Sequence, residues 1–255
     1  MKPSEPVSEN VIRQPAQAEP EHGLISIILA TYNEGENIKD MIMAVIGALP
    51  DPLEVIVVDD NSPDLTWQIA TELRDPHVKV IRRERARGLA SAINRGLIES
   101  RGEIVGWMDA DLCHPPALLP SMLELLHTCD IVIGSRYVPG GKDDRDPSRV
   151  WSSRLVNRMA SLVLGHGIQD YDSGFILMHR QVLDAVSLNP SGYGAYFIEF
   201  IHACSRKAFK IVEIPYVFTE RAKGVSKSNV NIFQFGIAGL GYMIRILKSR
   251  FRKLD

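Results

Sequence analysis

Residues 24–34 read LISIILATYNE, an apolar, β-branched run that ends abruptly in polar side chains. Four more runs of this kind follow it: LEVIVVD at 53–59, VKVI at 78–81, EIVGWMD at 103–109 and DIVIGS at 130–135. Segments with helical spacing separate the runs, at 37–49, 65–73, 89–100 and 117–126. Strands that alternate with helices of this length indicate βαβ units, and apolar strands of this kind indicate a sheet buried on both faces. The pattern predicts an α/β fold with a mostly parallel central sheet.

Polar side chains follow four of the predicted strands. The runs end in TYNE at 31–34, DDNSP at 59–63, DAD at 109–111 and SRY at 135–137. Ligands of open parallel sheets bind beyond the carboxyl ends of the strands, so these residues should share one edge. A single ending of this type is more often a cap or a turn. Four at the same edge favour a functional site.

The second half of the chain is less regular. PGGKDDRDPS at 139–148 reads as a loop that is too polar to pack, and helices are predicted over 150–164 and 196–204. DYDSGF at 170–175 reads as a turn into a short buried segment. FKIVEIPYVF at 209–218 predicts an edge strand, or a strand pair broken at Pro215, because proline lacks the backbone donor of a central strand.

Composition limits the partners and the compartment. Lys and Arg total 29 against 31 Asp and Glu, a net charge of -2, which argues against a nucleic-acid partner. The three cysteines contain no C-x-x-C pair, which excludes a zinc knuckle and suits a reducing, cytoplasmic compartment. Residues 1–23 lack the apolar core of a secretory signal, so we expect a disordered tail there. No stretch reaches the roughly 20 apolar residues that span a bilayer.

Asp109 and Asp111 are separated by one alanine at the end of a predicted strand. In an extended backbone their side chains point the same way, and two such carboxylates repel each other unless a cation or a shared proton intervenes. Mg²⁺ is commonly held by one or two carboxylates together with substrate phosphates. The alternative is a cluster of helix caps before Pro115 and Pro116, and the local sequence leaves both open.

The chain lacks the sequence motifs of three common enzyme classes. The chain has no G-x-x-x-x-G-K-[ST] and no G-x-G-x-x-G after its first strand, which disfavours a P-loop NTPase and a dinucleotide-dependent dehydrogenase. It also has no G-x-S-x-G, the nucleophile elbow of many hydrolases.

The motifs taken together resemble those of family 2 glycosyltransferases. ATYNE, VVDDNSPDLT, RGLASA, MDADLCHPP, GSRYVPGG, DYDSGF and ERAKGVSK occur in this order over about residues 24–229. Within that family they are most similar to the dolichol-phosphate, or polyprenyl-phosphate, mannose synthases. The resemblance implies the nucleotide-diphospho-sugar transferase fold, which is Rossmann-like and called GT-A, and a glycosyltransferase domain over 24–230.

The resemblance also implies a donor site. Its nucleotide-sugar-binding residues would be Ala30, Tyr32, Glu34, Val58, Asp60, Asp109, Ala110 and Asp111, together with Arg221 and Lys227. Asp109 and Asp111 would hold the donor diphosphate through Mg²⁺ or Mn²⁺. Cys113 stands where the synthases usually carry a third, Gln ligand. A thiol is a poor partner for Mg²⁺, so water in that position, a preference for Mn²⁺ and a lower metal affinity are the alternatives.

The implied reaction is the inverting transfer of mannose from GDP-mannose to a polyprenyl monophosphate. Arg136, Arg149 and Ser153 match acceptor-phosphate positions, while Asp111, Arg221 and Lys227 form the catalytic set around the leaving diphosphate. A monophosphate with its second pKa near 6 is already a nucleophile at neutral pH, so no general base is assigned. A turn or capping role is expected for Asp170 and Asp172.

The C-terminal segment, residues 231–255, is apolar at first and then basic, which predicts an amphipathic helix at the surface of a membrane, on its cytoplasmic face. Some synthases also act with a small membrane subunit, and the sequence leaves that partner open. Three alternative functions remain: a UDP-sugar donor (glucose or an aminosugar), a saccharide hydroxyl acceptor, and a non-catalytic nucleotide-sugar-binding protein. The absence of Q-x-x-R-W disfavours the second of these.

Overall fold

A computed structural model describes residues 22–191 and 195–219 of the protein. Its centre is a seven-stranded sheet with the strand order β3-β2-β1-β4-β7-β5-β8. These strands are β1 (Ile25–Thr31), β2 (Leu53–Asp59), β3 (Val78–Arg82), β4 (Ile104–Asp109), β5 (Ile131–Ser135), β7 (Ile176–His179) and β8 (Ile211–Pro215). Neighbouring strands of this sheet are parallel except where β7 pairs with β4 and β5. The predicted α/β class with a mostly parallel sheet is confirmed.

Helices connect the strands near the predicted positions. They are α1 (Ile38–Ala48), α2 (Thr66–Glu72), α3 (Leu89–Glu99), α4 (Leu119–Leu125), α5 (Pro147–Leu164), α6 (Gln181–Ala185) and α7 (Ala195–Arg206), and a short 3₁₀ turn over Pro116–Leu118 precedes α4. Helix α5 starts three residues before the predicted 150. Asp146 caps its first turn by accepting the Ser148 N–H at 2.9 Å, and Pro147 already has the φ angle that a helix start requires.

The sheet is buried on both faces. Along β1, Ile28 packs into one apolar cluster together with residues of α3, α5 and α7. Its neighbours Ile27 and Leu29 point to the other face, where they pack with residues of α1 and α4. Because side chains alternate along a strand, a continuous apolar run such as 27–29 can supply both layers at once. The apolar clusters on the two faces hold the sheet, and with it the ends of its strands, in place.

The polar loop over 139–148 departs from its prediction. Lys142–Asp143 form a short strand, β6, that pairs in parallel with β9 (Val217–Phe218). Asp143 is buried there because Arg145 binds both of its oxygens, at 2.8 and 2.6 Å, and the Tyr137 hydroxyl donates to it at 3.1 Å. The expectation that this segment is too polar to pack is therefore wrong, since its charges are neutralised locally. The predicted break is confirmed, because β8 ends at Pro215 and β9 begins two residues later.

The close approach of β4 and β7 can be tested at Gly106. A Cβ at this position would overlap the carbonyl oxygen of Ile176 and lie 2.8 Å from the Leu177 Cδ1 atom. We expect Gly106→Ala to lower the free energy of unfolding by about 2 kcal/mol, because neither backbone can move without breaking the sheet. Urea denaturation monitored by circular dichroism measures this change.

Gly47→Ala is the matched control. Gly47 lies in α1, and a Cβ there would meet no atom within 4 Å. Alanine should stabilise that helix by about 0.5–1 kcal/mol. A Gly106→Ala variant as stable as Gly47→Ala would contradict the β4–β7 packing described above.

Candidate active site

The carboxyl ends of three adjacent strands meet in register. Ala30 of β1 is paired with Val58 of β2 on one side and with Asp109 of β4 on the other. The chain leaves β1 toward β2 and β3 in one direction, whereas β4 lies in the other. This is a switch point of the sheet, the place where open α/β folds form a crevice for ligands. Three of the residues predicted to bind the donor thus lie side by side at this crevice.

Hydrogen bonds brace the turn after β1 against the turn after β2. The backbone N–H groups of Asn33 and Glu34 donate to Ser62 Oγ and Thr66 Oγ1, both at 2.9 Å. Asp59 is fully buried and accepts the Ser62 N–H at 2.8 Å and the Ser62 hydroxyl at 2.6 Å. Asp59 is therefore a structural carboxylate. Much of the VVDDNSPDLT motif serves to hold the two turns together.

Glu34 and Tyr32 are positioned by this bracing. The Glu34 side chain is buried, and the Asn37 amide donates to its Oε2 atom at 3.1 Å. Tyr32 carries the guanidinium of Arg87 above its ring, 5.1 Å from the ring centre. Arg87, which follows β3, was not among the predicted site residues. An arginine stacked on an aromatic ring offers a flat, cationic surface at the edge of the crevice.

Asp60 forms a buried ion pair that the sequence analysis did not predict. Arg83 Nε donates to its Oδ1 atom at 2.6 Å, and the Gly88 N–H donates to its Oδ2 atom at 2.7 Å. Both Asp60 oxygens thus fix the loop that leads from β3 to α3. A signal for this pair was present, because β2 and β3 end beside each other, with Asp59 opposite Arg82. The predicted contact of Asp60 with the base or ribose remains a prediction.

Asp109 is the last residue of β4, and Asp111 follows it in a bend over residues 110–114. Asp109 is partly exposed, whereas Asp111 is buried and accepts the Cys113 N–H at 3.1 Å. Leu112, the residue between Asp111 and Cys113, has a φ angle of 66°, which lies in the left-handed region. The 3₁₀ turn that follows has no side-chain cap, so the alternative reading of these aspartates as helix caps has no support.

The carboxylate pair fits a hard divalent cation. Two carboxylates at this edge, completed by phosphate oxygens and water, are a donor set that suits Mg²⁺ or Mn²⁺. In residues 22–191 and 195–219, no three His, Cys, Asp or Glu side chains are grouped so that they could hold a metal ion. The role of Cys113 as a third ligand remains a prediction. Its side chain is buried, and its backbone N–H donates to Asp111.

His114 is a further residue that was not among the predicted site residues, although it lies inside the MDADLCHPP motif. Its Nδ1 atom accepts the backbone N–H of Asp109 at 3.0 Å. Its ring is fully buried and stacks on Phe175 at 5.1 Å. Burial lowers the pKa of His114 to about 4, so the imidazole is neutral at physiological pH.

Arg136, predicted to bind the acceptor phosphate, is engaged in a buried ion pair. Its Nε and terminal nitrogens donate to the two oxygens of Asp170 at 2.8 and 2.7 Å, and it also donates to the Asp172 carbonyl at 3.0 Å. Burial alone would lower the pKa of Arg136, but the Asp170 carboxylate outweighs that effect and raises it. Asp170 is the partner of Arg136 rather than only a turn residue. The phosphate contact of Arg136 remains a prediction.

The other two predicted acceptor-phosphate residues lie on α5, whereas two residues of the predicted catalytic set lie outside the described residues. Arg149 and Ser153 are one helical turn apart on α5, both partly buried, so they share a face. Arg221, Lys227 and the predicted amphipathic segment 231–255 lie outside the described residues. The same holds for most of the predicted N-terminal tail.

Comparison with known proteins identifies the family. The model of glycosyl transferase family 2 matches residues 26–187, and the chain belongs to that family. A Pyrococcus furiosus protein named dolichol-phosphate mannosyltransferase is 38% identical over 234 residues, which cover 88% of this chain. The chain spans only 64% of that relative's length.

Two further relatives match over most of their length. The polyprenol monophosphomannose synthase of Mycolicibacterium smegmatis is 35% identical, covering 88% of this chain and 89% of that protein. The undecaprenyl-phosphate mannosyltransferase of Micrococcus luteus is 34% identical, covering 83% and 93%. The resemblance to this group of synthases is confirmed.

Solved structures support the fold. The glucosyl-3-phosphoglycerate synthase of Mycobacterium tuberculosis, in complex with Mn²⁺, UDP and its product, superimposes with a TM-score of 0.68. The match covers 91% of this chain and 81% of that one, at 20% identity. A complex of the same synthase with Mg²⁺ and UDP gives a TM-score of 0.67.

Asp172 gives a prediction about pH. Burial raises the pKa of its carboxyl to about 6, although Arg136 opposes the shift. A carboxyl with a raised pKa destabilises the fold once it is ionised, so the cost is absent below about pH 4 and complete above about pH 7. We expect Asp172→Asn to be more stable than the wild type by roughly 2 kcal/mol at about pH 7.5, and similar to it at about pH 4.

Chemical denaturation at the two pH values measures this difference. Asp184→Asn is the control, because Asp184 is exposed on α6 and should change stability little at either pH. A gain for Asp172→Asn that is equal at both pH values would contradict a raised pKa.

Proposed function

We propose that the protein transfers mannose from GDP-mannose to the phosphate of a polyprenyl monophosphate, with a divalent metal ion. The observation that carries this proposal is the row of Val58, Ala30 and Asp109 at the switch point, with Asp111 beside it. Three relatives at 34–38% identity are named for mannosyl transfer to lipid phosphates of this class. The fold neighbours hold UDP with Mn²⁺ or Mg²⁺, which supports a nucleotide sugar as donor.

The donor would lie across the row. Tyr32, Glu34 and Asp60 follow β1 and β2, so the nucleoside belongs on that side and the diphosphate beside Asp109 and Asp111. These two carboxylates would hold Mg²⁺ or Mn²⁺, which neutralises charge on the departing diphosphate when bound. Ala110, between the two aspartates, is buried and adds no polar side chain to the site.

The acceptor needs positioning more than activation. A lipid monophosphate is largely dianionic at neutral pH, so its oxygen attacks the anomeric carbon without a general base. The attack comes from the side opposite the leaving group, so the configuration inverts. Arg149 and Ser153, one turn apart on α5, are proposed to hold the phosphate, together with Arg136. Arg221 and Lys227 are proposed to stabilise the leaving diphosphate.

An exposed apolar stripe on α5 supports a membrane surface as partner. Trp151, Leu155 and Leu162 are 68%, 43% and 81% exposed. Their spacing of four and seven residues places them on one face of the helix, and the exposed Arg154 and Arg158 lie beside them. Aromatic and aliphatic side chains next to arginines suit an anionic lipid surface.

The stripe therefore complements the predicted segment 231–255. Within the two described ranges, no helix is long and apolar enough to cross a membrane. We propose a peripheral position on the cytoplasmic face, where GDP-mannose meets the phosphate of the lipid. A small membrane subunit would be a further partner of that surface.

The transfer is tested directly with purified protein, GDP-mannose and undecaprenyl phosphate in detergent, with product measured by mass spectrometry. We expect mannosyl-lipid formation that requires Mg²⁺ or Mn²⁺ and is abolished by EDTA. Asp111→Asn should lower kcat by about 10²–10³-fold, because the diphosphate loses its cation. Asp184→Asn, on the opposite edge of the sheet, should act like the wild type.

The donor panel includes UDP-glucose and UDP-N-acetylglucosamine. Turnover with a UDP-sugar alone would overturn the mannose assignment, and full activity in EDTA would overturn the role of the metal. Measurable nucleotide-sugar binding without turnover of any donor would favour the non-catalytic reading.

Membrane association is tested by flotation with vesicles rich in phosphatidylglycerol. Leu162→Ser should weaken vesicle binding by about tenfold, because an apolar side chain leaves the interface. Ile98→Ser is the matched control, since Ile98 is 70% exposed but lies on α3. Equal losses in the two variants, or none, would contradict a specific role of the α5 stripe.

A further inference from the structure

Within the described residues, the end of β4 has a strand partner on one side only. β4 is paired with β1 as far as Asp109, but its pairing with β7 stops at Trp107. Beyond that point, the Asp109 backbone N–H donates to His114 Nδ1 at 3.0 Å. The imidazole thus accepts the backbone hydrogen bond of Asp109 that a neighbouring strand would otherwise accept.

This hydrogen bond defines the state of the ring. A backbone N–H is a donor, so Nδ1 must be unprotonated and the proton must reside on Nε2. The neutral ring agrees with the complete burial of His114. Protonated imidazole has two donors and could not accept this bond.

Aromatic rings from separate segments hold the imidazole in place. Phe175, directly before β7, stacks on it with an interplanar angle of 12°. Tyr216 and Phe218 meet it edge-on, each with ring centres 5.7 Å away. Phe218 belongs to β9, three residues before the predicted catalytic Arg221. One buried ring thus connects the carboxylate turn with β7 and β9.

We propose that His114 is a positioning residue, whose neutral imidazole holds the Asp109 backbone so that the Asp109 and Asp111 carboxylates are set to receive a divalent cation. The inference rests on the metal role proposed for the two aspartates. Side chains that orient metal ligands typically change metal affinity by 10–100-fold when they are replaced. His114 touches neither donor nor acceptor in this role.

Two substitutions separate the acceptor from the ring. His114→Phe keeps an aromatic ring between Phe175 and Tyr216 but removes the acceptor. His114→Asn loses the ring but can place its Oδ1 atom near the former position of Nδ1. A residue that only fills the core would tolerate phenylalanine better than asparagine. A positioning residue would show the opposite order in metal binding.

The experiment is a Mn²⁺ titration followed by electron paramagnetic resonance, with GDP present and the full-length protein. We expect His114→Phe to raise the Kd for Mn²⁺ by at least about tenfold, and His114→Asn to stay within about threefold of the wild type. Raised Mn²⁺ should restore part of the activity of His114→Phe. Wild-type affinity in His114→Phe, or a larger loss in His114→Asn, would overturn the inference.

Failure of the proposed metal role and failure of the His114 role give different results. If the wild type binds no Mn²⁺ with GDP, the proposed metal role fails and the inference falls with it, whereas a failure confined to His114→Phe leaves that role intact. Should the variants not fold, ¹⁵N spectra of the wild-type histidine rings still test the bond. A protonated Nδ1 in His114 at neutral pH would overturn it.

Discussion

The buried pair of Arg136 and Asp170 is the interaction on which the site depends. Arg136 follows β5 and is 4% exposed, whereas Asp170 is completely buried. A bidentate pair of this kind is expensive to desolvate, and loss of one partner would leave an uncompensated charge in the interior. It ties the end of β5 to the turn that precedes β7. That turn carries Phe175, which stacks on His114, and His114 holds Asp109.

The antiparallel direction of β7 could not be predicted from the sequence. The runs that form β1, β2, β4 and β5 predict their strands closely, because length and β-branching are local properties. ILMH at 176–179 is also apolar, and a short buried segment was expected there. It lies antiparallel between β4 and β5, and the segment before it is held by the Arg136–Asp170 ion pair, whose residues are 34 positions apart. No local pattern encodes such a contact.

The carboxylates at the edge of the sheet make the same point about function. Asp59, Asp60 and Asp109 lie at or next to the ends of strands, and Asp170 lies in the segment between α5 and β7. Asp59 holds a turn through Ser62, and Asp60 and Asp170 are paired with arginines 23 and 34 residues away. The motif resemblance selected Asp109, which is paired with Ala30, and Asp111 just after it, and their role in donor binding remains a prediction. It could not separate the remaining aspartates by role, since their roles are set by distant partners.

Charge balance gives the last constraint on the mechanism. In the part of the chain that the structure describes, three arginines near this edge, Arg83, Arg136 and Arg145, each bind an aspartate. The positive charge of these arginines is therefore already balanced by aspartates. A diphosphate that entered the crevice would gain little attraction from them. Arg87 is exposed, but it stands over the Tyr32 ring, on the side assigned to the nucleoside.

In the proposed function, the compensating charge would come from a divalent cation held by Asp109 and Asp111, and from cations of neighbouring segments. Arg221 and Lys227 follow β9 within ten residues and are suited to that role by sequence. The proposed function then implies that metal and donor would bind together, because the carboxylate pair would attract the cation and the cation would attract the diphosphate. Ring contact connects His114, which accepts the Asp109 backbone N–H, to Phe218 of β9, the strand that precedes Arg221 and Lys227 in the sequence.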